Sequence, residues 1–350
     1  MPESLKVLVV DDSAIYRSLV QGCLREMPDL SCVGTANDGK DAIAKAAELR
    51  PDIILLDVEM PVMGGVEAMP KLRQLLPQAG IIMVSSLTTN GANVTMEALQ
   101  AGAFDFVTKP QVKAGEDGFA ALREPLATVI SAFREGRAQR ARPTQAPKKP
   151  SQARGKCPAI DLVAIGSSTG GPSALAELIP KLPEDLRVPV LIVQHMPARF
   201  TASLATSLDR RSKLRVREAE DGRPLRKGEV LVAPGGKHLE ISAGDAEPFV
   251  RLSDKKPPVN AFRPSVDVLF KSLAEAVPGK ALCVVMTGMG ADGLEGVKAV
   301  RQRGGWCIAQ DQASCAVYGM PRSVIEGGEA DEVVALDDLA GRIQAIAKVK

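Results

Sequence analysis

The chain has 350 residues, more than one domain usually needs, and its 45% hydrophobic and 25% charged residues are those of an ordinary globular protein. A formal net charge of +2 gives no reason to expect a nucleic-acid partner or an anionic membrane surface. No apolar run approaches the roughly 18–20 residues that span a bilayer, so no direct membrane insertion is expected.

The amino terminus, MPESLKVLVVDDS, turns acidic after a short apolar run and reads as a buried strand, not a signal sequence. From there strand and helix alternate five times. KVLVVDD, LSCVGTA, DIILLDVEM, GIIMVSSL and FDFVTKP predict strands. AIYRSLVQGCLREM, GKDAIAKAAELR, VEAMPKLRQLL, ANVTMEALQAG and the stretch from Phe119 to about Arg134 predict helices. This rhythm with short connections predicts a five-stranded parallel sheet covered by helices on both faces. Functional residues of such a sheet lie at the carboxyl ends of its strands.

From about Arg134 to Lys156 the text changes to REGRAQRARPTQAPKKPSQARGK, basic and almost without large apolar residues. Such a segment cannot bury enough surface to fold, and we read it as an interdomain linker in preference to a nucleic-acid-binding tail. Alternation resumes at Ala159. DLVAIG, VPVLIVQH, LCVVMTG and GWCIAQD predict buried strands of a second, doubly wound, mostly parallel α/β domain. Within it, GEVLVAPGGKHLEIS has two alternating runs around a Pro-Gly-Gly turn and predicts an inserted β-hairpin. The expected divisions are 1–125, a last helix and linker over 126–157, and 158–350. The six cysteines form no CxxC pair and several sit in apolar runs, which predicts reduced, buried thiols rather than disulfides or zinc ligands.

Asp11 and Asp12 end the first strand, Asp57 the third, Ser85 the fourth and Lys109 the fifth. In a doubly wound sheet these ends converge on one rim. Three carboxylates there repel one another and call for a hard divalent cation, and Mg²⁺ suits few carboxylates with open water positions. The lysine opposite could neutralise phosphoryl oxygens. One aspartate alone would read as a helix cap. DD, D, S and KP at the functional rim do not.

VVDDS, LLDVEMPVMGG, MVSS and FVTKP resemble the receiver domains of two-component response regulators, over residues 4–125. The resemblance implies a flavodoxin-like sheet and a phosphoacceptor, Asp57, supplied by a histidine kinase. It implies that Asp12 and the Glu59 backbone carbonyl join Asp57 around Mg²⁺, with Asp11 behind them, and that Lys109 pairs with the phosphoryl group. Ser85 would be the switch hydroxyl, with Ser86 as the alternative, and Phe106 the rotating aromatic.

Beyond the linker, AIGSSTGGPSAL runs from strand to helix and raises two readings. A Walker loop needs a lysine after Gly171, but Pro172 and Ser173 follow; a dinucleotide fingerprint needs a second glycine where Ser168 stands. GxSxG is met literally, with Ser168 at its centre. A serine needs a base, and the base needs an orienting group. His195 ends VPVLIVQH on the same rim, whereas His238, in the expected hairpin, reads as structural or rim material. Asp292, in MTGMGADGLEG, is the favoured third group, though it could merely cap the following helix, and Asp311 competes.

IGSSTGGP, VQHMP, VLVAPGGKHLEI, RPSVDVLF, VVMTGMGADG and AQDQASCAVYGMP resemble the CheB methylesterase family over residues 159–350. The family often reads GAST or GNDG where this chain reads GSST and GADG. The resemblance implies Ser168 as nucleophile, His195 as base, Asp292 as orienting carboxylate, and backbone amides near Thr169 and Met289 as oxyanion donors. It implies a cytoplasmic enzyme that demethylates glutamate side chains of chemoreceptors, deamidates certain receptor glutamines, and needs no cofactor for that chemistry. It further implies a CheA-type histidine kinase as phosphodonor and an unphosphorylated receiver that covers the active-site rim. The rival readings are a phosphate- or nucleotide-binding regulatory module and a DNA-binding output. The second predicts a basic domain with a helix-turn-helix, which the sequence lacks.

Overall fold

The computed structural model describes residues 4–110, 118–141, 157–244 and 247–347. Their contacts divide into two compact units, Met1–Arg134 and Glu135–Lys350. Residues 142–156, most of the expected linker, lie outside the described residues. Among the described residues no helix is long and apolar enough to cross a membrane.

The first unit runs β1 (Leu5–Val10), α1 (Ala14–Arg25), β2 (Leu30–Ala36), α2 (Gly39–Leu49), β3 (Ile53–Asp57), α3 (Gly65–Leu75), β4 (Gly80–Ser85), α4 (Thr89–Gln100), β5 (Asp105–Thr108) and α5 (Gly118–Ala141), the last turns of α5 falling in the second unit. Short polar side chains start α1, α2 and α4. Ser13 accepts from the Tyr16 amide, Asp38 from those of Lys40 and Asp41, and Thr88 from that of Gly91. The five strands pair in the parallel order β2-β1-β3-β4-β5, the flavodoxin-like order, so the ends of β1 and β3 flank the switch point. One helix end differs from expectation. Residues 135–141, EGRAQRA, extend α5 beyond Arg134 because Ala, Arg, Glu and Gln favour helix and no proline intervenes before Pro143.

The second unit runs β6 (Leu162–Ser167), α6 (Gly171–Leu178), β7 (Val190–Gln194), α7 (Ala198–Arg211), β8 (Arg215–Glu218), β9 (Glu229–Val232), β10 (His238–Ser242), β11 (Phe249–Ser253), α8 (Val266–Ala276), β12 (Ala281–Val285), α9 (Leu294–Gln302), β13 (Trp306–Gln310), α10 (Gly319–Glu326), β14 (Glu332–Val334) and α11 (Leu336–Ala347). Seven strands form a parallel sheet ordered β14-β13-β12-β6-β7-β9-β8. β6, β7, β12 and β13 are buried along their whole length, as strands covered on both faces must be. Each buried Val, Leu or Ile there contributes on the order of 1.5–3 kcal/mol. From β6 the chain works outward to β7, and later returns to lay β12 on the other side of β6. The crevice between the carboxyl ends of β6 and β12 is therefore this sheet's switch point, where ligands of such folds bind.

The expected hairpin is placed wrongly by the sequence reading. β9 joins the parallel sheet beside β7, and β10 pairs antiparallel with β11 in a separate two-stranded sheet. All four residues of β9 are buried, so EVLV is a sheet-interior run and not one arm of a half-exposed ribbon. Gly235 in the intervening turn presses on the backbone of residues 196–198, where a Cβ would come within 2.4 Å of the Met196 carbonyl and 2.3 Å of the Ala198 amide. The turn thereby carries the chain from one sheet to the other.

Candidate active site

The rim of the first unit gathers the acids as expected. Oxygens of Asp11, Asp12 and Asp57 lie within 4.8 Å of one another, with Asp11 and Asp57 buried and Asp12 exposed. Lys109 Nζ stands 2.7 Å from Asp11 Oδ2 and 2.7 Å from Asp57 Oδ2. One ammonium among three carboxylates leaves uncompensated negative charge. Burial, aided by Asp11, pushes the Asp57 carboxyl up to about 6 against the pull of Lys109 and the Val58 amide. Burial lowers Lys109, but its two carboxylate partners outweigh this and raise it.

Other residues predicted for this rim stand apart. The Ser85 hydroxyl is buried and engaged with α4, where Thr95 Oγ1 lies 2.8 Å away and the Gly91 carbonyl 3.2 Å. Ser86 Oγ faces Thr88 Oγ1 at 3.1 Å. The Glu59 side chain turns to Asn90 Nδ2, and Phe106 sits half-buried on β5.

In the second unit, β6 and β7 pair Ser167 with Gln194. The next residues, Ser168 and His195, therefore leave the sheet side by side on strands about 4.8 Å apart. Gly170, at φ 76, makes the sharp turn into α6. The fully buried amide of Gln194 locks this corner: its Oε1 accepts from Ser167 Oγ at 2.7 Å and its Nε2 donates to the Ser168 carbonyl at 2.9 Å. A Cβ at Gly171 would sit 2.0 Å from Gln194 Oε1, which explains the second glycine of the pair.

The loop after β12 brings Asp292 to His195, Oδ2 to Nε2 at 2.8 Å, with side-chain exposures of 0% and 4%. Ser168 is 8% exposed. Asp311 instead accepts the amide and hydroxyl of Ser314 in a local turn. Asp292 does cap a helix, but not the one expected. Its Oδ2 accepts the Val266 amide at 2.7 Å, and its Oδ1 accepts the Asp267 amide at 3.1 Å and Ser265 Oγ at 2.9 Å, all at the start of α8. Asp267 in turn accepts the amides of Gly293 and Gly296 and caps α9. Burial raises the Asp292 carboxyl, but His195 and the α8 amides overcome it and hold it at about 2. The carboxylate is thus ionised beside the imidazole.

A serine, a histidine and a buried aspartate at one switch point can perform acyl transfer. A sequence model of the CheB methylesterase family matches residues 163–343, and one of the response regulator receiver domain matches residues 7–116. The chain belongs to the CheB methylesterase family. A Desulfotalea psychrophila relative named protein-glutamate methylesterase/protein-glutamine glutaminase is 42% identical over 97% of this chain and 98% of its own length. A Thermotoga maritima relative of the same name is 42% identical over 94% of this chain and 95% of its own. The crystal structure of the Thermotoga maritima CheB methylesterase catalytic domain matches with TM-score 0.52 and 44% identity, over 54% of this chain and 99% of that one.

Within this CheB-type site, the amides of Thr169 and Met289 donate to no described residue and are only partly buried. His238 is fully buried and bonds neither Ser168 nor His195 among the described residues. Its Nδ1 accepts the Ser265 amide at 3.3 Å and its Nε2 faces the Pro257 carbonyl at 3.0 Å, so it is structural and supports the start of α8. The sequence reading missed Gln194, Asn260, Phe262 and Asp267. Phe262 stacks on His195, with ring centroids 3.7 Å apart. The one available signal was a glutamine closing an apolar strand, in VQH and again in AQD. Gln310 there accepts the Thr287 amide at 2.8 Å. Cys23, Cys283, Cys307 and Cys315 are buried, whereas Cys32 and Cys157 are only partly so.

Proposed function

We propose that this chain is a phosphorylation-activated protein-glutamate methylesterase, with residues 1–125 as receiver, 158–350 as catalytic domain and 126–157 joining them. The observation that carries the chemistry is the ionised, saturated Asp292 on His195 Nε2, beside Ser168 at the switch point. With Nε2 engaged, Nδ1 is the nitrogen left for the serine. Ser168 Oγ attacks the carbonyl carbon of a glutamyl γ-methyl ester and His195 Nδ1 takes its proton. The amides of Thr169 and Met289 receive the oxyanion. Collapse breaks the C–O bond, and the proton on His195 leaves with methanol. Water, activated by the same imidazole, then frees Ser168 and a glutamate carboxylate. A glutamine amide follows the same course with release of ammonia. No hydrogen bond joins Ser168 Oγ to the ring among the described residues, and substrate binding closes such contacts in ligand-free sites.

Asp57 accepts the phosphoryl group from a CheA-type histidine kinase, Lys109 pairs with it, and Ser85 leaves Thr95 to reach it. The cluster of Asp11, Asp12 and Asp57 fits Mg²⁺, because one lysine leaves its charge unbalanced and Asp57 raised. Asp11, Asp12, Asp57 and the Glu59 carbonyl would hold it, and the ion would supply neutralisation of the phosphoryl oxygens. The substrates are methylated chemoreceptors and the setting is the cytoplasm.

A phosphate cradle at Gly166–Gly171 fits less well. The Ser168 amide donates to the Thr287 carbonyl at 3.0 Å and that of Gly171 to the Ser168 carbonyl at 2.7 Å, so two of the turn's donors are spent internally. Rapid quenching of the protein with methylated receptor, followed by mass spectrometry, should find a glutamyl adduct on the Ser168 peptide. An adduct on another residue would refute the assignment.

A further inference from the structure

We propose that the turn at Asn260–Ala261, with Phe262 behind it, is a positioning clamp that fixes both the His195 ring and the Asp292 carboxylate. This rests on the triad reading above. The χ2 torsion of a histidine is broad and two-fold, and a single hydrogen bond at Nε2 opposes a flip but leaves the ring free to rock. Phe262 removes that freedom. Its ring lies 3.7 Å from that of His195, centroid to centroid, and 6° from parallel. At that separation the imidazole cannot turn about χ2 without driving its edge into the aromatic face.

The turn delivers Phe262. The Val259 amide donates to the Phe262 carbonyl at 3.0 Å, and the Phe262 amide returns to the Val259 carbonyl at 2.9 Å. Asn260 and Ala261 between them have φ 53 and φ 68, the left-handed pair of a primed two-residue turn. Alanine disfavours that backbone, which persists where its surroundings hold it. Asn260 supplies the hold. Its Nδ2 lies 3.1 Å from Asp292 Oδ1 and 3.1 Å from Asp267 Oδ2, and only the NH₂ end of the amide can donate to two carboxylates. One short segment thus grips the base through a ring face and its partner through a carboxylate oxygen. Asp292 selects the tautomer, with the proton on Nε2, and the clamp keeps that hydrogen bond aligned, leaving a bare Nδ1 that is buried and has no partner among the described residues. Asn260 and Phe262 are positioning residues, not members of the reacting set.

The test uses the full-length protein with acetyl phosphate and Mg²⁺ present. Steady-state methanol release is measured for Phe262→Ala, Phe262→Leu, Phe262→Tyr and Asn260→Ala, and ¹⁵N NMR reads the ring nitrogens of the two histidines. Phe262→Ala should lower kcat about tenfold, as small misplacements of a catalytic group do, with KM within about twofold. Tyrosine should restore kcat, leucine should restore only part, and Asn260→Ala should lower it in the same direction. The His195 nitrogens should report one tautomer in the wild type and an average in Phe262→Ala, with His238 unchanged. A raised KM at constant kcat would make Phe262 a substrate wall and overturn the clamp, as would unaltered His195 nitrogens. If Ser168→Ala kept methanol release, the triad reading would fall, while the ring-nitrogen signals would still decide the clamp.

Discussion

Asp292 receives five donors: His195 Nε2, the Val266 and Asp267 amides, Ser265 Oγ and Asn260 Nδ2. A carboxylate has about four lone-pair sites, so no room remains for a proton. Its pKa, held at about 2, lies below the ordinary 3.8. The stability it contributes is therefore present at neutral pH and is lost as pH falls between those values. Asp292→Asn presents an NH₂ group to donors, and should destabilise the second unit at pH 7 by on the order of 2 kcal/mol. The loss should fade towards pH 2 in denaturant titrations. Methanol release should fall about 10³–10⁴-fold, since the imidazole loses its tautomer.

Asp57 has the opposite sign. Its pKa of about 6 lies above 3.8, so between those values the native state holds a proton the unfolded chain has released. Stability then falls as pH rises through that window, and the cost is complete above it. In metal-free buffer at pH 7.5, Asp57→Asn should stabilise the first unit by on the order of 1–2 kcal/mol, with the gain vanishing below about pH 4. Added Mg²⁺ should raise the melting temperature of the wild type more than that of the variant.

At the scale of elements, α8 and α9 exchange caps, Asp292 at the start of α8 and Asp267 at the start of α9. Asp267→Ala strands the Gly293 and Gly296 amides and should cost about 1–2 kcal/mol in chemical denaturation, while lowering methanol release by loosening the loop that carries Asp292. The strand ends that carry Asp11, Asp57, Lys109, Ser168 and His195 were legible because a parallel sheet delivers its carboxyl ends to one rim whatever the details. The exchange of caps was not, because a capping aspartate reads as serving the helix that follows it. KKPPVNAF reads as a plain loop, since proline and lysine hide a turn whose meaning lies in contacts with a distant histidine. The misplaced hairpin has a similar cause. Period-two patterning marks EVLV and HLEIS as strands but does not say which neighbour each takes.

At the scale of the molecule, the proposed reading puts two chemistries at two switch points, one per unit: phosphoryl acceptance at Asp57 and ester hydrolysis at Ser168. Each has its own nucleophile, so each should be removable alone. Asp57→Asn should abolish stimulation of methanol release by acetyl phosphate and keep the basal rate. The most direct measurement is methanol release from methylated receptor by the Ser168→Ala protein, with Asp57 phosphorylation followed in the same sample. Loss of methanol release with phosphorylation intact is the predicted result. Methanol release at the wild-type rate would contradict it.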